Sequence, residues 1–568
     1  MLVKLIGSPR ASARLLLSVT VIAGIVSIVA FLWSPSETGS QFLFGLSRTR
    51  LLTGAAFALL LAVNMGALLW VGLKPTNWQL NIESKLIGWF TDYITYWMTA
   101  LGFFALAVGA VLLSIIPPVI GLVGFMEPLG ARIGGLALWL FFSTLLSIIF
   151  IRLLYRELLS GNKTVAVVDH ILLLAVLFLV TFFLYEHLLI WTGAANQLRY
   201  SYWNLLADEF LRGNLHLENP PQIHDLTFHN GKWYVPMPPF PAVLMMPLAY
   251  LIGGENIDTG DFSIFLSAVN TVFIFLILDQ LVRRKWINLS RVGMLLLVTL
   301  FAFGNPHLWV GIRGRVWFFS QIVVVTFLAL AVFASLKSWS PWVVGLSLGA
   351  AIATRPNGIM TWPLVFAIAM QILREERGNV DYKQILNWSM KSILPMAVAV
   401  AGLLMYNHAR FGNYLDFGYT TIHGDPVTVA NAQNYGVFST HFIIPNIKAM
   451  LFRVPAIQPG GQWPILPSTT GMSVFLVTPP LIYLFRRYEP KWWILGAWAS
   501  VLCNLVLLLL YHNTGAHQFG YRYILDFIVP LIAMLAVALG GRIPWHFVAL
   551  LLFSIAFNIY GAFWFING

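Results

Sequence analysis

The residues best suited to chemistry lie in one polar stretch, GAANQLRYSYWNLLADEFLRGNLHLENPPQIHDLTFHNGKWYVPMPPFPAV, set between apolar runs. It contains the acids Asp208, Glu209, Glu218 and Asp225. Asp225 stands just ahead of a turn signal, His229-Asn230-Gly231-Lys232, and a short aromatic strand, close to an apolar segment. A carboxylate held at such a boundary suits a general base, because partial desolvation raises its proton affinity. Asp208 and Glu209 fall within 198–212, where Leu198, Tyr202, Leu205 or Leu206 and Phe210 have helix-like spacing. They are reserve candidates for the base, and the alternative is that they are solvated or paired with Arg212. The helix itself has a plainer alternative role as an interfacial anchor. His224 and His229 flank Asp225, so the three could hold a divalent metal. Their spacing matches no strong metal signature, and hydrogen bonding to headgroups or loop backbone is the simpler reading. We therefore assign no metal and expect no cofactor, leaving this trio as the one place for a divalent ion.

Arginines are the second signal. Arg313 and Arg315 (VGIRGRVW), Arg355 (ATRPNG), Arg410 (YNHARFGNYLDFGY) and Arg522 (HQFGYRYILDF) sit at the mouths of apolar runs beside helix-breaking residues. A guanidinium presents a planar fork of donors to phosphate. The alternative is snorkelling or internal pairing, concretely so for Arg522, with Asp526 four residues later. Arg199, His224, His229, Lys232 and Tyr234 join these arginines as candidate substrate contacts. A second long loop, 408–470, has few charges and carries Tyr414, Tyr419, Tyr435 and Trp463. Such rings suit a sugar face or a lipid surface. No phosphate-binding glycine loop, zinc-protease helix or serine elbow is present.

The elements that must position these groups are membrane spans. The 568 residues are 59% hydrophobic and 10% charged, with mean hydropathy +0.79. Apolar stretches of about 20 residues, the length that crosses a hydrocarbon core, recur throughout. The composition thus predicts an all-α polytopic membrane protein. The net charge of +12 belongs to loops facing the cytoplasm rather than to nucleic-acid binding. The single cysteine, Cys503, excludes a disulfide framework. About fifteen spans are expected, near 15–33, 51–73, 94–116, 133–151, 169–191, 262–282, 292–310, 316–336, 342–355, 358–373, 392–407, 471–485, 492–511, 523–541 and 546–565. The first of these reads as a span rather than a cleaved signal.

The segment 239–253 is about 15 residues long with Pro241 and Pro247 inside it, which favours a surface-lying or re-entrant helix. With the N-terminus inside and this segment not crossing, thirteen later Lys/Arg face the cytoplasm and seven face outward. Crossing would swap those counts. The loops 192–261 and 408–470 then share the outer face, where any chemistry is expected. Residues 1–160 read as a four-span accessory module ahead of a core, 161–568.

Several stretches of that core resemble the GT-C superfamily of membrane glycosyltransferases, related to protein O-mannosyltransferases and aminoarabinose transferases. They are NQLRYSYWNLLADEFLRGNL, HDLTFHNGKWYVPMPPFPAVLMMPLAYL with its Y-x-x-x-P-P run, ATRPNG, YNHARFGNYLDFGY and FGYRYILDFIVP. The resemblance covers about 169–540. It implies an outer cavity in which a sugar passes from a polyprenyl-phosphate donor, usually with inversion, to a hydroxyl acceptor on a glycan, lipid or protein. The setting implied is the external face of a bacterial cytoplasmic membrane. The chain departs from the pattern at Asn196-Gln197, where many members place the catalytic aspartate. The expected base therefore moves to Asp225. The rival expectation is a transporter of lipid or polysaccharide, or an assembly scaffold.

Overall fold

The computed structural model describes residues 163–194 and 201–568, except 487, 516, 542 and 568, together with positions 21, 62, 65 and 66. The chain divides into two compact units, Met1–Ala175 and Val176–Gly568. The four spans expected before residue 152, and with them the accessory module, lie outside the described residues.

The longer helices are α1 (Lys163–Trp191), α2 (Trp203–Leu211), α3 (Phe240–Ile252), α4 (Thr259–Arg283), α5 (Arg291–Phe303), α6 (Val316–Leu336) and α7 (Pro341–Ile352). They continue as α8 (Trp362–Arg377), α9 (Tyr382–Phe411), α10 (Pro426–Tyr435), α11 (Trp492–Leu510), α12 (Ile528–Leu539) and α13 (Trp545–Asn567). Among the described residues eight helical segments are long and apolar enough to cross a membrane, which makes this a membrane-embedded, mainly helical protein.

The expectation of about fifteen spans is not confirmed: of the eleven expected from residue 169 on, eight coincide with these helices and three do not. The run 292–310 breaks after α5, because Gly304 and Pro306 interrupt it and Asn305 turns back to cap Leu300 O and Phe301 O at 2.9 and 2.6 Å. The run 342–355 is α7, only 12 residues or about 18 Å long. The run 471–485 holds a four-residue α-helix, then a 3₁₀ turn opened by Pro479-Pro480, whose rings remove two amide donors.

Helix starts follow local chemistry. The Asp258 carboxylate accepts from Gly260 N and Asp261 N at 2.7 and 3.2 Å to open α4, and Ser290 accepts from Gly293 N to open α5. Close packing follows small residues. A Cβ at Gly345 of α7 would lie 2.3 Å from Ser392 O of α9, and one at Gly349 would lie 3.2 Å from Pro395 O. This is small-xxx-small packing, which lets two backbones approach in lipid.

The first polar loop is ordered by α2, a hairpin and α3. Strands β1 (Thr227–His229) and β2 (Lys232–Tyr234) pair antiparallel across Asn230-Gly231, both with positive φ, the conformation a two-residue hairpin turn requires. A second small pair, β3 (Ala456–Ile457) and β4 (Ile465–Leu466), lies in the other long loop. Helix α3 has 13 residues, about 20 Å, too short for a core of roughly 30 Å. It begins beside Ala353, whose carbonyl accepts from Phe240 N at 3.1 Å, and ends at α2, where Asp208 accepts from Gly254 N at 2.8 Å. Helix α2 is itself fixed at the head of α6 by Trp203 Nε1 donating to Val316 O at 2.9 Å.

The Gly345 contact gives a direct test. Gly345→Val drives a side chain into the α9 backbone, and a loss of about 1–3 kcal/mol is expected from overpacking. Thermal unfolding in detergent should show the drop, whereas the same change at Gly402, with nothing within 4 Å, should not.

Candidate active site

A cavity of about 1030 Å³ opens where the two long loops meet the ends of α6, α7 and α11. The sequence-predicted residues His224, Asp225, Arg315, Arg355 and Arg522 all line it. Loop residues Asp416 and Tyr419 form another side, and Leu507, Leu508, Phe318 and Phe565 supply apolar wall.

Asp225 is 8% exposed and has φ of +59°, a left-handed conformation that aspartate tolerates better than most residues. Its backbone is stapled to the second loop, Asp225 N donating to His423 O at 2.6 Å and His423 N to Leu226 O at 2.8 Å. Next to these, Thr227 bridges Ile422, and Thr227 Oγ1 donates to Gly418 O at 2.8 Å. The preceding residue is anchored as well, because the Tyr202 hydroxyl donates to His224 O. Burial pushes the Asp225 carboxyl up from 3.8 to about 7. Arg522 opposes that shift, Asp425 adds to it, and Arg315 opposes it more weakly. His224 Nε2 lies 3.3 Å from Asp225 Oδ2. Partial burial and then the Arg315 charge lower the His224 proton affinity, with Asp425 acting against them.

The arginines divide into two groups. Arg355 donates to Asp526 Oδ2 at 2.8 Å. Arg522 is 4% exposed and is held by neutral acceptors, Gly515 O at 3.1 Å and Gln321 Oε1 at 2.9 Å. The expected Arg522–Asp526 pair does not form. Residues 522–527 make a 3₁₀ turn, and at 3.0 residues per turn the fourth residue on points about 120° away. Asp526 instead faces Arg355, and among the described residues no carboxylate pairs with Arg522 within 4.0 Å. Arg315, at the head of α6, is half-buried on the cavity wall.

Arg313 and Arg410 do not line the cavity. Arg313 is buried against Phe565, its guanidinium 5.2 Å from the ring. Arg410 donates to Val235 O at 2.5 Å and Asn407 Oδ1 at 2.8 Å, with its guanidinium over the Tyr406 and Phe411 rings at 3.9 and 4.6 Å. It clamps the exit of β2 to the end of α9.

Asp208 and Glu209 are also placed elsewhere. Both oxygens of Asp208 accept from Gly254 N, and buried Glu209 accepts from Asn214 Nδ2 at 2.8 Å and Arg212 Nη1 at 3.3 Å. His229 packs edge-on to Phe411 with ring centroids 5.6 Å apart, so it does not converge with His224 and Asp225. Among the described residues no group of three His, Cys, Asp or Glu could hold a metal ion. Tyr234 packs against Phe411 and His216, Lys232 is exposed on β2, and neither lines the cavity. Arg199 lies outside the described residues.

Sequence reasoning missed Asp416, Asp425, Tyr511 and His512, all of which line the cavity. Asp425 Oδ2 caps α10 by accepting from Thr428 N at 2.8 Å, and Asp416 Oδ1 accepts from Gly418 N at 2.7 Å. The available signal was the turn chemistry of Asp425-Pro426 and the placing of His512 directly after a span.

The Asp225 carboxyl keeps its proton to about pH 7 in the folded protein, against 3.8 for an ordinary aspartate. The native state therefore binds more protons than the unfolded chain between those values, loses stability as pH rises through them, and loses no more above. Asp225→Asn removes this cost and keeps a side chain that tolerates positive φ. Its stability relative to wild type should improve by on the order of a few kcal/mol between pH 4 and pH 8. Unfolding at both pH values checks this, and a pH-independent difference counts against it. The chain matches no protein-family model, no curated protein and no solved structure, so the chemistry of this cavity has to be derived from its own side chains.

Proposed function

We propose that the cavity transfers a sugar from a polyprenyl-phosphate donor to a hydroxyl acceptor at the outer face of a bacterial cytoplasmic membrane. The observation that carries this reading is one juxtaposition. A buried carboxyl with a proton affinity near neutrality shares a cavity with Arg522, a buried guanidinium held by neutral acceptors. A general base works best when its pKa lies near the working pH. A buried cation whose hydrogen bonds go to neutral acceptors, with the nearest carboxylates beyond ion-pair contact, favours an anion beside it.

In the proposed reaction the acceptor oxygen attacks the anomeric carbon of the donor sugar. Its proton passes to the Asp225 carboxylate as the new C–O bond forms. The bond from the anomeric carbon to phosphate oxygen breaks, and polyprenyl phosphate leaves with the electron pair. Arg522, with Arg315 and Arg355, stabilises the charge that develops on that oxygen. The apolar wall of Leu507, Leu508, Phe318 and Phe565 suits the first isoprene units. Single displacement from the opposite side inverts the anomeric centre. No metal is required by this scheme, and no nucleic acid takes part.

A second reading, transport of a lipid-linked substrate, draws on the helix breaks at 304–306 and 478–485 and on the short helix α3. One assay separates the two. Purified protein in lipid is given a labelled polyprenyl-phosphate sugar and a mixture of envelope acceptors. Transfer should release polyprenyl phosphate, with a rate that rises with pH to a plateau above about 7 as Asp225 ionises. Asp225→Asn should lower it by roughly 10²–10⁴-fold, the range for loss of a general base. A donor bond left intact by wild type favours transport, and wild-type turnover by Asp225→Asn rejects the assigned base.

A further inference from the structure

The second long loop runs into a stretch without charge. Residues 454–485 contain no Asp, Glu, Lys, Arg or His. About a quarter of the residues in soluble domains are charged, so a loop of that length held in water would carry several. The part that precedes the helical turns, 454–472, is one closed excursion. Its ends meet where Ser473 N donates to Arg453 O at 2.8 Å and the Arg453 guanidinium donates to Thr470 Oγ1. Between them β3 and β4 pair, and Gln458 N donates to Pro464 O at 2.9 Å to close the turn.

The side chains of this excursion turn apolar surface outward. Ile457 is 80% exposed, Phe452 70% and Val454 63%, with Ile465 and Leu466 exposed beside them. Pairing sets Ile457 opposite Ile465 and Ala456 opposite Leu466, so both faces of the hairpin are apolar. A contiguous exposed apolar surface marks a place of contact with something apolar.

What it meets follows from where it is docked. The Tyr560 hydroxyl donates to Ile465 O, and the Trp463 ring packs edge-on to Tyr560 with centroids 5.7 Å apart. Tyr560 belongs to α13, whose last turn brings Phe565 to the cavity and Asn567 Nδ2 to Thr192 O at 3.1 Å. It lies seven residues before Asn567, about 10 Å along the axis from that end. A headgroup layer is only roughly 5–8 Å deep, so this level is inside the bilayer. Tyr560 also continues the exposed face of α13. Trp545, Ala549, Leu552, Phe553 and Ala556 are exposed at i, i+4, i+7, i+8 and i+11, and Tyr560 stands at i+15. The hairpin is seated on the lipid-facing stripe of a membrane span.

We infer that the excursion 454–472 dips into the membrane, with Ile457, Ile465 and Leu466, and Phe452 and Val454 at its root, contacting lipid in the leaflet at the cavity end. Two-residue strands leave backbone groups unpaired, so the hairpin lies flat where headgroups give way to chains and does not enter the core. Its apolar surface is continuous with that of α13, and it carries no charge with which to orient a protein partner. The root of the excursion reaches the turn that carries Arg522. Gln518 N donates to Thr469 O at 2.9 Å, and Gln518 Oε1 accepts from Arg522 N at 2.8 Å. The lipid contact holds whatever reaction the cavity performs.

Spin labels on single cysteines test it in nanodiscs of phosphatidylethanolamine and phosphatidylglycerol. In a Cys503→Ser background, Ile457→Cys and Leu466→Cys each carry a nitroxide. Its collisions with oxygen, which concentrates in lipid, are compared with its collisions with a water-soluble nickel chelate. A label on native Cys503, exposed on α11, gives the lipid reference, and one on Lys232→Cys, exposed on β2, gives the water reference. Both hairpin labels should favour oxygen, as the Cys503 label does, in variants whose thermal unfolding matches that of Cys503→Ser. A preference for nickel at either position puts the hairpin in water. Weak collision with both reagents puts it against protein, a second copy of the chain or another partner. Either result overturns the lipid contact.

Discussion

The arrangement depends on one ion pair. Arg355, just beyond a helix too short to cross a membrane, donates to Asp526 on a 3₁₀ turn, across a separation of 171 residues. Asp526 is almost wholly buried, and its Oδ1 has no partner among the described residues. Removing either member would strand a charge in an apolar bundle, so the pair fixes the two turns against each other. The ion pair thus ties the turn after α7 to the 522–527 turn beside the cavity.

Once Asp526 is committed to Arg355, Arg522 has no carboxylate within 4.0 Å among the described residues. Its guanidinium is oriented by Gln321 Oε1 and Gly515 O, which accept hydrogen bonds without cancelling the charge. Phe318 and Tyr523 lie 5.3 and 4.9 Å from it and keep their faces toward the cation. The guanidinium is thus fixed in orientation by neutral acceptors, while Asp526 and Asp225 act on it only through the field at longer range. Neighbouring Arg410 makes the contrast plain. It is equally buried, but its donors go to Val235 O and Asn407 Oδ1, and it stays out of the cavity.

Asp225 was legible in the sequence because its cause is local: an acid set before an Asn-Gly hairpin and a proline-broken apolar helix must sit at a boundary. The hairpin and the short α3 were legible for the same reason. The arginines were readable as a group and not one by one, since nothing near Arg410 or Arg313 in the chain says which carbonyl or ring it will meet. Asp208 and Glu209 looked like reserve bases, but backbone amides and side chains around the α2–α3 junction use up their acceptors. Arg522–Asp526 failed because i,i+4 pairing assumes α geometry, and the residues form a 3₁₀ turn. The break at 478–485 was hidden by hydropathy, which registers apolar length without weighing two adjacent prolines. His512 carries no motif, and its place on the cavity wall comes from Tyr419 and Val437 in a loop distant in sequence.

The proton affinity of Asp225 is itself a consequence of the second loop closing over the first. A Cβ on Gly424 would lie 2.6 Å from Asp225 Oδ1, so a side chain there would have to push the carboxyl aside. Closure by the paired contacts at His423 removes water from the carboxyl, which is the largest cause of its raised pKa, and brings the Asp425 charge near it as a further one. The hydrogen bonds that join the two loops are therefore also the ones that bury the Asp225 carboxyl. In an exposed loop the Asp225 carboxyl would lose the burial that raises its pKa and return toward an ordinary aspartate. The joining of the loops and the proton affinity of Asp225 are coupled, because the contacts at His423 that bring residues 423–425 over the carboxyl are also the ones that bury it.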